Sequence, residues 1–413
     1  MFNNSSKPQK WGYQDLMQYR IHEILLVSSP YDAFILEEDG KLTEQILSEY
    51  IGMNLSYAPR VWSANSAKNA IEMIENRFFD VIIVMMRISD MDPINFSKRI
   101  KKNYPKKPIV LLAFDQSEIK NLSIHDQDIF DEIFIWSGNS NVFPAIIKSI
   151  EDKKNIAKDV KIADIRTILF IEDTPWYYSS ILPVIYKETL YHTKQLIDKS
   201  LNDTQRLLHM RGRPKILLAK SYETAEKYFK LYRKNILGVI SDIRFPKDGK
   251  LHNNAGVLFA KLVQSIEKSM PVLLQSNEIK ALEIAKTITP FVLNKKSSTL
   301  FSNLREFLIN NLGFGDFVFK SKSGQEINRA TNIDELVELL ETIPNESLEY
   351  HASRNHFSNW LAARGEFDLA TQFRKVKSTD YKGIVERRTF IINLIQKSQK
   401  SQGEGSVAVF KHT

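Results

Sequence analysis

Four places in this chain carry residues that could together move a phosphoryl group. Glu172-Asp173, Asp242, Ser276 and Lys295 each close or directly follow a short apolar run: TILFI, ILGVIS, PVLLQ and PFVLN. Carboxyl ends of strands are where open α/β sheets bind ligands. Three carboxylates brought to one sheet edge would repel one another, and a hard divalent cation held by oxygens relieves this, so Mg²⁺ is the expected ion. An Asp carboxylate beside it can attack a phosphoryl donor in line, while a Lys ammonium, a Ser hydroxyl and the metal stabilise charge on the transferred oxygens.

The elements that would position these residues follow from the apolar runs. Parallel strands covered on both faces read as short continuous apolar stretches, and the chain has two series of them. The first comprises EILLVSS (23–29), DVIIVMM (80–86), PIVLLAF (108–114) and EIFIWSG (132–138), with helical patterns such as SAKNAIEMIENRF (66–78) between them. The second comprises TILFIED (167–173), PKILLAK (214–220), ILGVISD (236–242), PVLLQSN (271–277) and PFVLNKK (290–296). This alternation predicts α/β architecture: two tandem doubly wound parallel-sheet, flavodoxin-like domains and a small C-terminal mainly helical module.

The expected boundaries are an N-terminal extension (1–20), a first domain (21–155), a second (163–312), a small module (313–395) and a polar tail or linker (396–413). The two series align as an internal repeat of about 150 residues. The second copy carries an insertion, 174–213, whose apolar spacing predicts a long helix or helix pair projecting beyond the α/β body. Its plain role is packing against the first domain, and its functional role would be dimerisation. In the small module, GDFVFKSKSGQEI reads as a hairpin around Lys322-Ser323-Gly324, followed by a helix capped by Thr331 or Asn332.

At the positions matching Glu172, Asp173, Asp242, Ser276 and Lys295, the first copy has Ser28, Ser29, Met85, Ala113 and Ser137. Met85 cannot accept a phosphoryl group, and neither serine replaces a metal-binding acid. Asp90 and Asp92 read as turn residues. The first domain is therefore expected to be a degenerate copy that serves for docking or dimerisation.

Composition bounds the function class. The 413 residues are 43% hydrophobic and 26% charged, enough apolar material for several cores. Lys+Arg 57 against Asp+Glu 49 leaves +8, which permits nucleic-acid contact without demanding it. The absence of cysteine removes disulfides and thiol chemistry. No run reaches the ~20 apolar residues of a membrane span, so a cytoplasmic protein with no membrane partner is expected.

Other signals read as structural. His351 and His356 lack a third ligand and are expected in a core or at a cap. Tyr350, Phe357, Trp360 and Phe367 would form the small helical core. The basic stretch His209, Arg211, Arg213 and Lys215 reads as a helix end favoured by the dipole, and KRIKKNYPKK (98–107) as a solvated helix end. There is no phosphate-cradling G-x-x-x-x-G-K-[ST] sequence, dinucleotide fingerprint or helix-turn-helix, so DNA is not an expected partner.

The arrangement of Glu172-Asp173, Asp242, Ser276 and Lys295 resembles the receiver domain of two-component response regulators, and SDIRFPKDG (241–249) is similar to that family's phospho-acceptor segment. The resemblance implies that Asp242 is phosphorylated, with Mg²⁺ held by Glu172, Asp173, Asp242 and the backbone carbonyl of Arg244. Ser276 would report phosphorylation and Lys295 would partner the phosphoryl group. Where that family often has an aromatic switch before the Lys, this chain has Val292 with Phe291 beside it. The implied partners are a histidine kinase or phosphotransfer protein and a downstream protein target, with homodimerisation possible. Beyond self-phosphorylation no enzyme activity is implied.

Across the whole chain, LLVSSPYDAFILEEDGKL, NLGFGDFVF and SLEYHASRNHFSNWLAARGEF resemble the amino-terminal region of large bacterial proteins related to phosphoenolpyruvate synthase and pyruvate, phosphate dikinase. That resemblance implies an alternative, a non-catalytic regulatory segment of a phosphoenolpyruvate-utilising, ATP-grasp enzyme. Kinase activity is not carried over, because none of the residues responsible for it lie in this sequence. A scaffold of two unphosphorylated receiver-like domains is the other alternative.

Overall fold

The computed structural model describes residues 16–39, 42–52, 58–138, 141–198, 206, 209–210, 212–268, 270–375 and 380–408. Two five-stranded parallel sheets carry the α/β architecture expected from the apolar runs. The first contains β1 (Glu23–Val27), β2 (Arg60–Ala64), β3 (Val81–Met85), β4 (Ile109–Ala113) and β5 (Glu132–Ile135) in the order β2-β1-β3-β4-β5. The second contains β6 (Thr167–Ile171), β7 (Lys215–Ala219), β8 (Ile236–Asp242), β11 (Val272–Ser276) and β12 (Val292–Asn294), with a small antiparallel hairpin of β9 (Phe245–Lys247) and β10 (Lys250–His252) after β8. Its order, β7-β6-β8-β11-β12, is the same topology. The central strands are buried throughout, as helix-covered parallel strands must be.

Helices of the first domain are α1 (Pro30–Phe34), α2 (Leu42–Gly52), α3 (Ala67–Asn76), α4 (Pro93–Asn103), α5 (Gln116–Lys120), α6 (Ile124–Gln127) and the long α7 (Val142–Ala163). Asp90 accepts from the backbone N–H groups of Ala67 and Lys68 at the start of α3, and Asp92 accepts from Ile94 and Asn95 at the start of α4. Both are helix caps.

The first helix of the second domain is α8 (Pro175–Asp198), which corrects one expectation. The segment read as a projecting insertion is this domain's own first crossover helix, lengthened to 24 residues, and much of it is buried. It lies against the first domain: Tyr178 Oη donates to the Ile133 carbonyl, and the Ile135 N–H donates to Ser179 Oγ at 2.9 Å. One apolar cluster runs from Ile24 and Phe134 through Ile147 to Tyr178, Ile185 and Phe170, so the two sheets share a core. Of the expected insertion, 199–205, 207–208 and Arg211 lie outside the described residues.

The basic stretch is also corrected. Arg213 and Lys215 are buried in ion pairs instead of favouring the dipole at the end of the inserted helix. Arg213 forms a two-pronged pair with Asp152 of α7 at 2.6 and 3.0 Å, and Lys215 lies 3.2 Å from Asp159. The face of α7 that carries these acids supplies the countercharge that burial requires. The same helix pins the N-terminal segment. Glu151 accepts from the Ile21 N–H, Asn155 from Tyr19 and Asp159 from Met17, so acceptors four residues apart on α7 meet donors two residues apart on the N-terminal segment.

The third module consists of the β13–β14 hairpin (Phe317–Lys320, Glu326–Ala330) and helices Ile333–Thr342, Asn345–Ala352, His356–Ala363, Phe367–Lys375 and Ile384–Ala408. Asn332 is the cap of Ile333–Thr342: its Oδ1 accepts from the Glu335 N–H while Glu335 reaches back to the Thr331 N–H. Phe357 and Trp360 enter the core, with Tyr350 packed against His351 and His356; the Phe367 side chain lies outside the described ones. The expected tail or linker is corrected for 396–408, where the last helix continues without break, while 409–413 and the first fifteen residues of the expected N-terminal extension lie outside the described residues.

Candidate functional site

The second sheet brings the expected acids and lysine together. Glu172 and Asp173 follow β6, Asp242 is the last residue of β8, and oxygen atoms of all three lie within 4.8 Å of one another. Lys295 follows β12 and reaches back across the sheet end, with Nζ 2.6 Å from Glu172 Oε2 and 3.0 Å from Asp242 Oδ2. Register carries this convergence: Asp242 pairs with Gln275 of β11, Ser276 pairs with Asn294 of β12, and the Lys295 N–H donates to the Ser276 carbonyl at 2.8 Å. Ser276 is buried at the same strand end, its Oγ accepting from the Glu278 N–H at 3.1 Å. Arg244 stands two residues beyond Asp242, its half-exposed guanidinium 3.6 Å from Glu278.

The electrostatics follow from crowding in a buried place. Burial pushes the Glu172 carboxyl up, Lys295 opposes the rise and the neighbouring acids add to it. Burial, then the Asp242 charge, raises Asp173 to about 6. Asp242 is raised by burial against the pull of Lys295. Burial works against the Lys295 ammonium, but the Glu172 and Asp242 charges prevail and hold it above the ordinary lysine value.

The cluster fits a hard divalent cation. Its donors are all carboxylate oxygens, and Asp173 Oδ1 is buried without a hydrogen-bond partner. A cation there would satisfy that oxygen and reduce the mutual repulsion of the acids.

Three further residues shape the site, none evident from the sequence. Tyr177, in the first turn of α8, lays its ring under Lys295 with Nζ 4.1 Å from the centroid, a cation–π contact. Gln275 donates through Nε2 to Glu172 Oε2 at 3.3 Å, from a fully buried position. Gly256 passes so close to the end of β8 that a Cβ would stand 2.1 Å from the Asp242 carbonyl oxygen, so only glycine fits there. The signal for Gly256 was a glycine opening a helix; Tyr177 and Gln275 carried none.

Among the described residues, the first sheet presents no such site. Val27 pairs with Val84 where Ile171 pairs with Ser241, so Ser28, Ser29 and Met85 occupy the places of Glu172, Asp173 and Asp242. Ala113 occupies the place of Ser276. The place of Lys295 belongs to Trp136, one residue before the expected Ser137, because the Trp136 N–H donates to the Ala113 carbonyl as Lys295 does to Ser276. Trp136 is buried edge-on to Phe114 at 5.5 Å, an aromatic residue at the register position where the second sheet has Lys295. In the second sheet Phe291 packs edge-on against Phe307 at 5.2 Å beside half-buried Val292.

Comparison with solved structures finds receiver domains. One is the response regulator TrrA from Thermotoga maritima in complex with Mg²⁺ and BeF, 16% identical over 31% of this chain and 97% of its own, with a TM-score of 0.24. Another is a CheY-like receiver domain protein from Methanospirillum hungatei, 18% identical over 33% of this chain and 98% of its own, TM-score 0.26. NtrX from Brucella abortus is 11% identical over 90% of this chain and all of its own, TM-score 0.27. No family model matches the sequence, and no curated protein matches it. Neither sequence comparison thus supplies support for the resemblance to phosphoenolpyruvate synthase-related proteins. No helix among the described residues is long and apolar enough to cross a membrane.

Proposed function

We propose that this chain is a phosphorelay signal transduction protein whose second domain accepts a phosphoryl group on Asp242 and thereby switches a protein-interaction surface. The observation that supports this most is the convergence of Glu172, Asp173 and Asp242 within 4.8 Å, with Lys295 touching two of them, at the carboxyl end of a parallel sheet. An Asp242 carboxylate oxygen attacks the donor phosphorus, an acyl phosphate forms, and the donor's bond to phosphorus breaks with its electron pair leaving on the donor atom. Glu172, Asp173, Asp242 and the Arg244 carbonyl would hold Mg²⁺, which when bound neutralises charge on the transferred oxygens.

The remaining roles belong to side chains of this chain. Lys295 gives up part of its contact with Asp242 to pair a phosphoryl oxygen, and Ser276 Oγ turns from the Glu278 N–H to donate to another. These two movements bias the β11–β12 edge between two arrangements, which is how a local charge change becomes a surface change. The first domain, with Met85 and Trp136 at the matching places, acts as an unphosphorylated scaffold held on α8. The partners are a histidine kinase or phosphotransfer protein upstream and a protein target downstream, and the protein acts in the cytoplasm without enzymatic activity beyond its own phosphorylation. Incubation with acetyl phosphate and Mg²⁺, followed by borohydride reduction and peptide mapping, should convert residue 242 to homoserine. Modification elsewhere, or none, would refute the assignment.

A further inference from the structure

Away from the acidic cluster, the seam between the two α/β domains holds a cavity of about 60 Å³, walled by five segments: the N-terminal strand lead-in at Met17–His22, α2, α7, the second half of α8, and Met210 with Arg213 ahead of β7. One water needs roughly 10–15 Å³ by this measure, so the space is larger than a single solvent molecule requires. Four cations line it, Arg20, Lys148, Lys194 and Arg213, against Glu151 in the wall and Asp152 behind Arg213. Lys148 and Arg213 are almost fully buried.

The cations are unequally satisfied. Arg213 spends both terminal nitrogens on Asp152. Lys148 donates to Tyr50 Oη at 3.0 Å and to Glu151 Oε2 at 2.8 Å, leaving a third N–H. Arg20 and Lys194 form no ion pair among the described residues, although both border the cavity. Lys148 brings a buried ammonium with an unused N–H to the cavity, where an anion gains more than in water, and the half-buried Arg20 and exposed Lys194 add positive charge where the cavity meets solvent. Leu190 and Ile197, seven residues apart on one face of α8 and on the same stripe as Lys194, add apolar lining beside that cation.

We propose that this interdomain cavity binds a small organic anion with an apolar body, its carboxylate or phosphate head held among Arg20, Lys148 and Lys194 and its chain against Leu190 and Ile197. The site is independent of phosphorylation at Asp242, since none of its residues belongs to the acidic cluster. Octanoate is a suitable probe, with inorganic phosphate as a head-only control and octanol as a tail-only control. Titration calorimetry on the full chain should show saturable one-to-one octanoate binding, weakened at least tenfold in Arg20→Glu/Lys194→Glu, with both controls weaker than octanoate. These two side chains are solvent-accessible, so the variant should keep its fold, which circular dichroism checks; Arg20→Gln/Lys194→Gln, with an intermediate loss expected, serves if charge reversal unfolds the chain. Absence of octanoate binding, equal binding of octanol, or undiminished binding by the folded variant would overturn the proposal.

Discussion

Lys295 stands closer to Glu172, at 2.6 Å, than to Asp242, at 3.0 Å, so one buried ammonium holds a metal-site acid and the proposed acceptor at once. Removing one partner of a buried pair costs about 3–5 kcal/mol, because the remaining charges stay buried. Lys295→Met should therefore lose about that much stability at pH 7 and less at pH 5, where the raised carboxyls take up protons. Urea denaturation at the two pH values measures the difference; equal losses would count against the electrostatic explanation.

Mg²⁺ should stabilise the protein through the same acids. A ligand present at about 100 times its Kd adds ~2.7 kcal/mol. Thermal unfolding with and without Mg²⁺ should show a rise in Tm that is absent in Asp173→Asn, the variant that removes the buried unpartnered oxygen. An equal rise in the variant would mean that the ion binds elsewhere.

Much of the fold was legible because the central strands are continuous apolar runs, and the site was legible because its residues end those runs. Strand β2, RVWSA, was not, since it is an edge strand with only Ala64 fully buried and lacks the apolar run of its neighbours. Trp136 was missed by one residue, because alignment of apolar runs does not fix register where β5 pairs with β4. Arg213 and Lys215 read as a helix end favoured by the dipole because their countercharges, Asp152 and Asp159, lie more than fifty residues earlier. Tyr177 drew no notice for a similar reason: its partner Lys295 is brought to it only by the closed sheet.

Asp152 is the focus of the interdomain charge network, accepting from Arg213, Tyr186 and the Ile216 N–H. Asp152→Ala should cost about 3–5 kcal/mol, whereas Asp152→Leu/Arg213→Met, which removes both charges, should cost clearly less. Chemical denaturation of the two variants makes the comparison. Equal losses would show that packing, and not the unpaired arginine, sets the cost.

Buried histidines make the fold acid-sensitive. Burial, and then Arg364, holds His192 down to about 3, and burial likewise holds His351 and His356 well below the ordinary imidazole value. These groups stay neutral in the folded chain, while in the unfolded chain they gain protons below about 6.5. Stability is thus fully present above pH 6.5 and falls as pH drops toward 4, by up to ~1.4 kcal/mol per pH unit for each histidine. His192→Asn should flatten that slope in pH-dependent unfolding by about one proton's worth; an unchanged slope would show that His192 does not contribute.

Phosphoryl transfer to Asp242 can be read by intact-protein mass spectrometry after incubation with acetyl phosphate and Mg²⁺. Wild type should gain one phosphoryl increment, and Asp242→Asn, confirmed folded, should gain none. An unmodified wild type, or an equal increment in the variant, would contradict the account.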